Sequence, residues 1–475
     1  MRLGLTFDDV LLLPRRSDVT SRSQVNTRSQ LTRRIDVAIP VVSANMDAVT
    51  ESEMATAMAR EGGLGIIHRF LTVEQQVGEV RRVKRAESIV IEQPYIFGPT
   101  RTVHDARSFM DEHGSAGLLV VDGNEQLLGM VTARDLVFAD DPNRSIASVM
   151  TPRERLVTAP PGTGLEEART ILHRHRIEKL PLVDEAGRLR GLITGRDIQS
   201  RLRHPLATKD TKGRLQVGAA VGVRGDYLER AAALVAEGVD VLVLDVAHGH
   251  TEASLRALTQ LRERFPDADL IAGNVATAEG TRDLIERGAD AVKVGVGPGS
   301  TCTTRIVTGA GVPQLTAIMD CAGVAQAHGV VVIGDGGIRS SGDMTKALAA
   351  GASTVMLGNL LAGTEESPGA LVIKSGRQYK TYRGMASLWA TARRAALDAP
   401  VEDEDLSQIV EEGVEATVPY RGKAADVLAQ LVGGLRSGMS YCGARSIPEL
   451  QQRAEFIQIT AAGMKESLPH DVEPA

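Results

Sequence analysis

Residues 330–358 read VVVIGDGGIRSSGDMTKALAAGASTVMLG. The stretch opens on a continuous apolar run and passes through Gly334-Asp335-Gly336-Gly337. It continues as an alanine-rich segment of helical type over 342–350 and returns to a second β-branched run at 353–357. Continuous apolar strands separated by a helix indicate parallel strands buried on both faces. Outward from this segment the same unit recurs. Apolar runs stand at 37–42, 64–67, 215–221, 239–244, 269–275, 290–296, 330–334 and 353–357, and helical stretches such as 227–237 and 277–287 separate most of them. Eight such units in roughly 350 residues point to an α/β fold of the (β/α)8 TIM-barrel type. A doubly wound open sheet is the alternative.

A repeat interrupts this pattern. Residues 99–136 align with 161–198 at a constant offset of 62 without a gap. Val121-Asp122 matches Val183-Asp184, and Gly129–Asp135 matches Gly191–Asp197. Each copy reads helix, strand, turn, strand, helix, and two copies suggest a pair that buries one shared face. The expected organisation is therefore residues 1–92 as the first part of the barrel, 93–205 as the inserted repeat module, and 206–475 as the remainder.

Composition removes other classes. Only 14 of 475 residues are aromatic (1 Trp, 6 Tyr, 7 Phe), the formal net charge is −6, and 43% of residues are hydrophobic. A nucleic-acid binder that stacks bases needs aromatic platforms and a basic groove. Three cysteines cannot staple a chain of this length. No apolar run approaches the roughly 18 residues of a membrane span. Val10–Leu13 is too short for a signal-peptide core and follows Asp8-Asp9. A reducing, cytoplasmic location is expected.

The 48 glycines are unevenly placed, with 18 of them between Gly288 and Gly384. They cluster after the sixth, seventh and eighth strands, where a barrel builds its catalytic face and often a phosphate site. Glycine there lets main-chain N–H groups approach an anion. The loop Gly297-Pro298-Gly299-Ser300-Thr301-Cys302-Thr303-Thr304-Arg305 adds a cysteine among polar neighbours, the setting of a thiolate nucleophile. Cys321, in a helical stretch, reads instead as a small buried hydrophobe. The carbonyls of Gly297, Gly299 and Cys302 suit a monovalent cation.

At these residues the chain resembles the IMP dehydrogenase/GMP reductase family over nearly its whole length. The resemblance rests on Leu5–Val10, Gly273-Asn274-Val275, Gly297–Gln314 around Cys302, Asp335–Gly337, Met356–Gly358, Tyr382–Met385 and Ser437–Gly443. The repeat resembles the pair of cystathionine-β-synthase (CBS) modules that many such dehydrogenases carry. The resemblance implies that Cys302 attacks C2 of a purine nucleotide and that Thr304 and Glu412 move protons. It implies nucleotide contacts from Ser43, Met46, Ser300, Asp335, Gly337, Gly358, Asn359, Tyr382, Gly384 and Met385. Asp245, Val246, Ala247 and Asn274 would border the nicotinamide cofactor, and K+ would take the carbonyl site. Thr132, Asp135, Thr194 and Asp197 would contact regulatory ATP- or GTP-type nucleotides, in a homotetramer that can pair into octamers.

The two branches differ outside the cysteine loop. Dehydrogenases of this family carry an Arg-Tyr pair in a flap; here Arg393-Arg394 has no following tyrosine and precedes the acidic run Glu402–Asp405. Ser43–Asp47 and Asp245-Val246-Ala247 resemble the reductase forms, and Asn359 replaces a usual phosphate-binding serine. His248-Gly249-His250 and the CBS pair resemble the dehydrogenase. On the flap chemistry the expectation is a CBS-containing GMP reductase, reducing GMP to IMP and ammonia with NADPH. The alternative is an IMP dehydrogenase oxidising IMP to XMP with NAD, and a non-enzymatic nucleotide sensor is a third reading.

Overall fold

A computed structural model of the chain describes residues 1–87, 90–92, 94–195, 198–199, 203–387 and 410–469. It divides into two compact units. One takes in Met1–Ala86, Leu206–Asp210 and the described residues from Leu215 onward; the other takes in the described residues of Glu87–Pro205 and Thr211–Arg214.

The first unit is a closed eight-stranded parallel barrel. Its strands, in chain order, are β1 (Val41–Ser43), β2 (Leu64–Ile67), β3 (Gly218–Val221), β4 (Val241–Asp245), β5 (Asp269–Val275), β6 (Ala291–Val294), β7 (Val331–Asp335) and β8 (Thr354–Leu357). Each pairs with its neighbours in sequence, and β8 closes on β1 through the register Val355↔Val41 to Leu357↔Ser43. The open sheet is thereby excluded. The apolar run at 37–42 yields a shorter barrel strand than its length suggests. Asp36–Val37 pairs separately with Ser29–Gln30, and Pro40, which has no N–H to donate to a ladder, precedes β1.

Three of the helices between strands start on hydroxyl caps. Thr251, Thr277 and Ser340 accept from the main-chain N–H of Ser254, Gly280 and Asp343, opening Glu252–Arg264, Ala278–Glu286 and Ser341–Ala349. Such caps satisfy N–H groups that the first helical turn leaves unpaired. They fix where the loops after β4, β5 and β7 stop. Beneath them Val243, Ile271, Val292 and Ile333 fill an aliphatic core with essentially no exposed surface, which explains how the fold manages with few aromatics.

The second unit carries the repeat in its elements. Helix Val103–His113 and strands Gly117–Val121 and Leu127–Thr132 recur as Leu165–His175, Lys179–Val183 and Leu189–Thr194, each displaced by 62 residues. Both hairpins even shift register at the corresponding place, Val120/Val121 and Leu182/Val183. Each copy has its own small core, and Leu119, Leu127, Val183 and Leu192 from both copies form a shared apolar cluster.

Gly295, just past β6, shows how tightly the barrel rim is built. Its φ is +155°, and an added Cβ would stand 2.0 Å from the carbonyl oxygen of Asp335. Gly295→Ala is expected to destabilise the barrel by about 1–3 kcal/mol, read as a lowered midpoint in denaturant unfolding. An unchanged midpoint would show that the rim yields at no cost.

Candidate active site

The loop after β6 is held open by an arginine. Arg305 donates through Nε to Val296 O (3.1 Å) and through Nη2 to Val312 O (2.5 Å). Added Cβ atoms at Gly297 and Gly311 would meet its side chain at 2.5 and 2.6 Å. Arg305 is therefore a brace threaded between two glycines, and much of the glycine content here makes room for it.

Three segments then weave over the loop. Gly384 N donates to Val414 O (3.0 Å), Val414 N to Thr301 O (2.9 Å), Thr303 N to Glu412 O (2.9 Å) and Glu412 N to Ala386 O (3.1 Å). Cys302 and Gly413 face one another as an isolated antiparallel bridge. These segments are tied to the barrel by an antiparallel sheet of Leu371–Lys374, Arg377–Arg383 and Glu415–Pro419. The main chain of Glu412 is thus fixed on both sides, 110 positions away from the cysteine it serves.

The side chains form one continuous relay. Cys302 Sγ donates to Thr304 Oγ1 at 3.2 Å, and Thr304 Oγ1 donates to Glu412 Oε2 at 2.7 Å. All three are only partly buried. The thiol proton has a path to a carboxylate, and the same path run toward a water would activate it. By contrast Cys321 is fully buried, and burial pushes its thiol up to about 12, so it is inert.

Beside the relay, Ser300 Oγ lies 3.5 Å from the Tyr382 hydroxyl, which in turn lies 3.7 Å from Met46 Sδ. Burial raises the Tyr382 phenol above its ordinary pKa, so it stays neutral. Gly358 approaches that hydroxyl closely, since an added Cβ would stand 3.0 Å from it. Gly337, at φ +79°, faces the ring of Phe7. Arg383, next to Tyr382, forms a forked pair with buried Asp47 at 2.5–3.0 Å. That hydrogen bond, the largest influence on the guanidinium, raises its pKa against the opposing effect of burial.

Behind these groups lies a residue that the motif reading passed over. Lys293, in β6, is 3% exposed. Its Nζ meets Asp245 Oδ1 at 2.9 Å and Asp335 Oδ2 at 2.7 Å, and also donates to Asn274 Oδ1. Asn274 Nδ2 donates to Asp335 Oδ2 and to Gly295 O, both at 2.8 Å. Asp245, Asn274, Lys293 and Asp335 come from four successive strands, β4 to β7. Burial alone would disfavour the Lys293 ammonium, but Asp245 and Asp335 override it and raise its pKa. Burial would likewise raise Asp245, yet Lys293, Arg69 and Asn45 hold it below the usual carboxylate value. The signal was present in the sequence: a lysine stands inside the apolar run Ala291-Val-Lys-Val294.

Other expected residues fall in varied places. Gly384 packs against Thr301 O and Gly413, and Met385 follows in the turn. Val246 exchanges main-chain bonds with Gly273 and Asn274, and Ala247 is exposed. Ser43 is fully buried, with its Oγ accepting from Thr50. Asn359 opens the short helix Asn359–Ala362 directly after Gly358. Gly299 O accepts from Cys302 N at 3.1 Å, so one lone pair of that expected cation ligand is engaged. In the second unit Thr132 and Asp135 bond to one another as a capping box for helix Ala133–Val137, and Thr194 ends its strand. Asp197, Trp389, Arg393 and Arg394 lie outside the described residues. Among the described residues no group of three or more His, Cys, Asp or Glu is arranged as a metal site, and no helix is long and apolar enough to cross a membrane.

The Asp47–Arg383 fork anchors the strand that carries Tyr382. Asp47→Asn should cost about 1–3 kcal/mol, below the roughly 3–5 of a fully buried pair because Arg383 keeps some solvent access. It should also weaken purine-nucleotide binding measured by calorimetry; unchanged stability and binding would remove the anchoring role.

Comparison with known proteins places this geometry. Residues 4–470 match the family model described as IMP dehydrogenase / GMP reductase domain. The chain is 57% identical to inosine-5'-monophosphate dehydrogenase of Nitrosopumilus maritimus over 472 residues, covering 99% of this chain and 98% of that protein. Against the protein of the same name from Aquifex aeolicus the identity is 54%, covering 99% and 96%. Among solved structures, a Cys-to-Ala variant of GMP reductase from Trypanosoma brucei in complex with guanosine 5'-monophosphate superposes with a TM-score of 0.94 at 45% identity, covering 100% of this chain and 99% of that one. With a barrel whose sixth-strand loop presents a cysteine to a threonine–glutamate relay, and a family match along almost all of its length, the chain belongs to the IMP dehydrogenase/GMP reductase family.

Proposed function

We propose that the protein is an IMP dehydrogenase, converting IMP, NAD+ and water to XMP, NADH and a proton. The reaction class rests on the Cys302–Thr304–Glu412 relay. The direction rests on the relatives: proteins 51–57% identical over 99% of the chain carry the name inosine-5'-monophosphate dehydrogenase. This corrects the expectation of a GMP reductase using NADPH, a name met among solved structures at 42–45% identity. That expectation leaned on the absent flap tyrosine and on a few single positions. The flap lies outside the described residues, and Glu412 offers a base that does not depend on it. Glu412, through Thr304, reaches the same sulfur to which the nucleotide would be attached.

In this reading Cys302 passes its proton along Thr304 to Glu412 and its sulfur bonds to C2 of IMP. NAD+ supplies the hydride acceptor. Once Glu412 has released that proton to solvent, the relay serves a second time: it draws a proton from the water whose oxygen bonds to C2 and becomes the oxygen of XMP, while the sulfur leaves as a thiolate and recovers its proton through Thr304. Splitting oxidation from hydrolysis gives two modest barriers in place of one large one. Asp335 takes the ribose hydroxyls, and Ser300, Gly337, Gly358, Asn359 and Tyr382 surround the phosphate. Asp245 and Asn274 border the nicotinamide nucleotide, and the carbonyls of Gly297, Gly299 and Cys302 would hold a potassium ion, whose charge would steady the cysteine loop. The repeat unit is proposed to be a tandem CBS module that binds adenine or guanine nucleotides and regulates a tetramer or octamer.

Two assays test the proposal. Purified protein given IMP and NAD+ should produce NADH and XMP; turnover of GMP with NADPH in its place would overturn the assignment. Cys302→Ala should abolish IMP oxidation while calorimetry still detects IMP binding. Glu412→Gln should lower kcat by about 10²–10⁴ with little change in IMP affinity, and an unaltered kcat would remove the relay from the mechanism.

A further inference from the structure

We propose that Lys293 is a positioning residue that couples the two ligand sites, with one buried ammonium holding both Asp335 at the nucleotide ribose and Asp245 at the dinucleotide. The inference rests on the site assignments of the preceding section and adds a residue that they leave out.

The geometry is that of a strut behind a surface. The Lys293 side chain is 3% exposed, whereas those of Asp245 and Asp335 are 20% and 21% exposed. The cation therefore sits inside the barrel and the two carboxylates stand in front of it, open on one side. An ammonium has three N–H donors and no acceptor. Here all three have partners: Asp245 Oδ1, Asp335 Oδ2 and Asn274 Oδ1. Asp335 Oδ2 accepts from both Lys293 and Asn274, which leaves Oδ1 to receive ribose hydroxyls. Rotation of either carboxylate would break a charge-assisted bond inside the core, so both are held at one orientation.

Stability alone does not call for this arrangement. Replacing a buried ion pair by apolar residues of similar volume is often neutral or stabilising, and the rest of β6 is Ala291, Val292 and Val294. Without the ammonium, two carboxylates from β4 and β7 would face one shared space, and like charges disfavour each other's ionised form. The charged groups bearing on Asp245 are Lys293, Arg69 on the loop after β2, and, through Lys293, Asp335; Asn45 adds a neutral donor. Lys293 touches both carboxylates. Whatever alters the charge on one carboxylate alters the share of the ammonium available to the other, which is a coupling free energy between two sites.

The test uses full-length protein and the variants Lys293→Met, Lys293→Arg and Asp245→Asn. Binding of IMP and, separately, of GMP is read by calorimetry, which needs no turnover. Asp245→Asn should change nucleotide affinity about fivefold or more although Asp245 belongs to the dinucleotide site. The same change in a Lys293→Met background should do nothing further. Lys293→Met should raise the acid limb of kcat/KM for NAD+ by about one pH unit, because Asp245 then ionises against burial with only Arg69 and the neutral donor Asn45 to help. Lys293→Arg, which keeps the charge, should return that limb toward its original position. Circular dichroism and the thermal midpoint check each variant. If Lys293→Met does not fold, the Asp245→Asn binding arm decides. Unchanged nucleotide affinity in Asp245→Asn, or an acid limb unmoved in folded Lys293→Met, would overturn the coupling. Wild-type protein that binds a nucleotide but does not oxidise IMP would instead count against the reaction assignment, leaving the binding arm readable.

Discussion

Everything at the rim depends on the pairing of Val355–Leu357 with Val41–Ser43. That ladder closes the sheet on itself and makes the ends of eight strands a ring in place of a row. Closure places Met46, after β1, within reach of Tyr382, far along the chain, and lets Asp47 receive Arg383. It also gathers Asp245, Asn274, Lys293 and Asp335 at one level of the barrel. An open sheet of the same strands would leave β1 and β8 at opposite edges, and the Asp47–Arg383 and Met46–Tyr382 contacts would have no route to form.

The ring solves an electrostatic problem as well as a topological one. Asp245 and Asp335 stand in a barrel mouth lined by aliphatic residues, where carboxylates are costly to ionise. The molecule answers with a cation placed deeper than either acid. The cysteine side of the site is organised differently. It keeps Cys302, Thr304 and Glu412 partly open and relies on main-chain hydrogen bonds between three segments for position. A charged floor and a main-chain-clamped cysteine suit the proposed reaction, in which the nucleotide stays attached while its surroundings change.

The architecture was legible because its signals are local and repeated. Seven of the eight barrel strands fall on the apolar runs that announce them, with ends shifted by at most a few positions, and the exception, at β1, is explained by Pro40. The 62-residue repeat reappears down to its register shifts, because identical turn chemistry at Asp122 and Asp184 bends each hairpin alike. Cys302, Thr304 and Glu412 were legible through motif resemblance, and the structure brings them into one hydrogen-bonded line. Lys293 was not, since a motif reading weighs loops after strands, and its role depends on partners from three other strands. Arg305, in sequence only the last residue of the cysteine loop, proves to be the brace of that loop. The direction of the reaction was misjudged because it was drawn from a few positions in and around the flap, where one missing side chain was given more weight than the chain as a whole.

The central claim is that Cys302 bonds to C2 of IMP, that the hydride on that carbon passes to NAD+, and that water then releases the covalent adduct. The most direct measurement is to supply IMP deuterated at C2 together with NAD+ in water enriched in oxygen-18. The account predicts deuterium in the NADH and one heavy oxygen in the XMP. Absence of deuterium from the reduced cofactor, or XMP without the solvent oxygen, would contradict it.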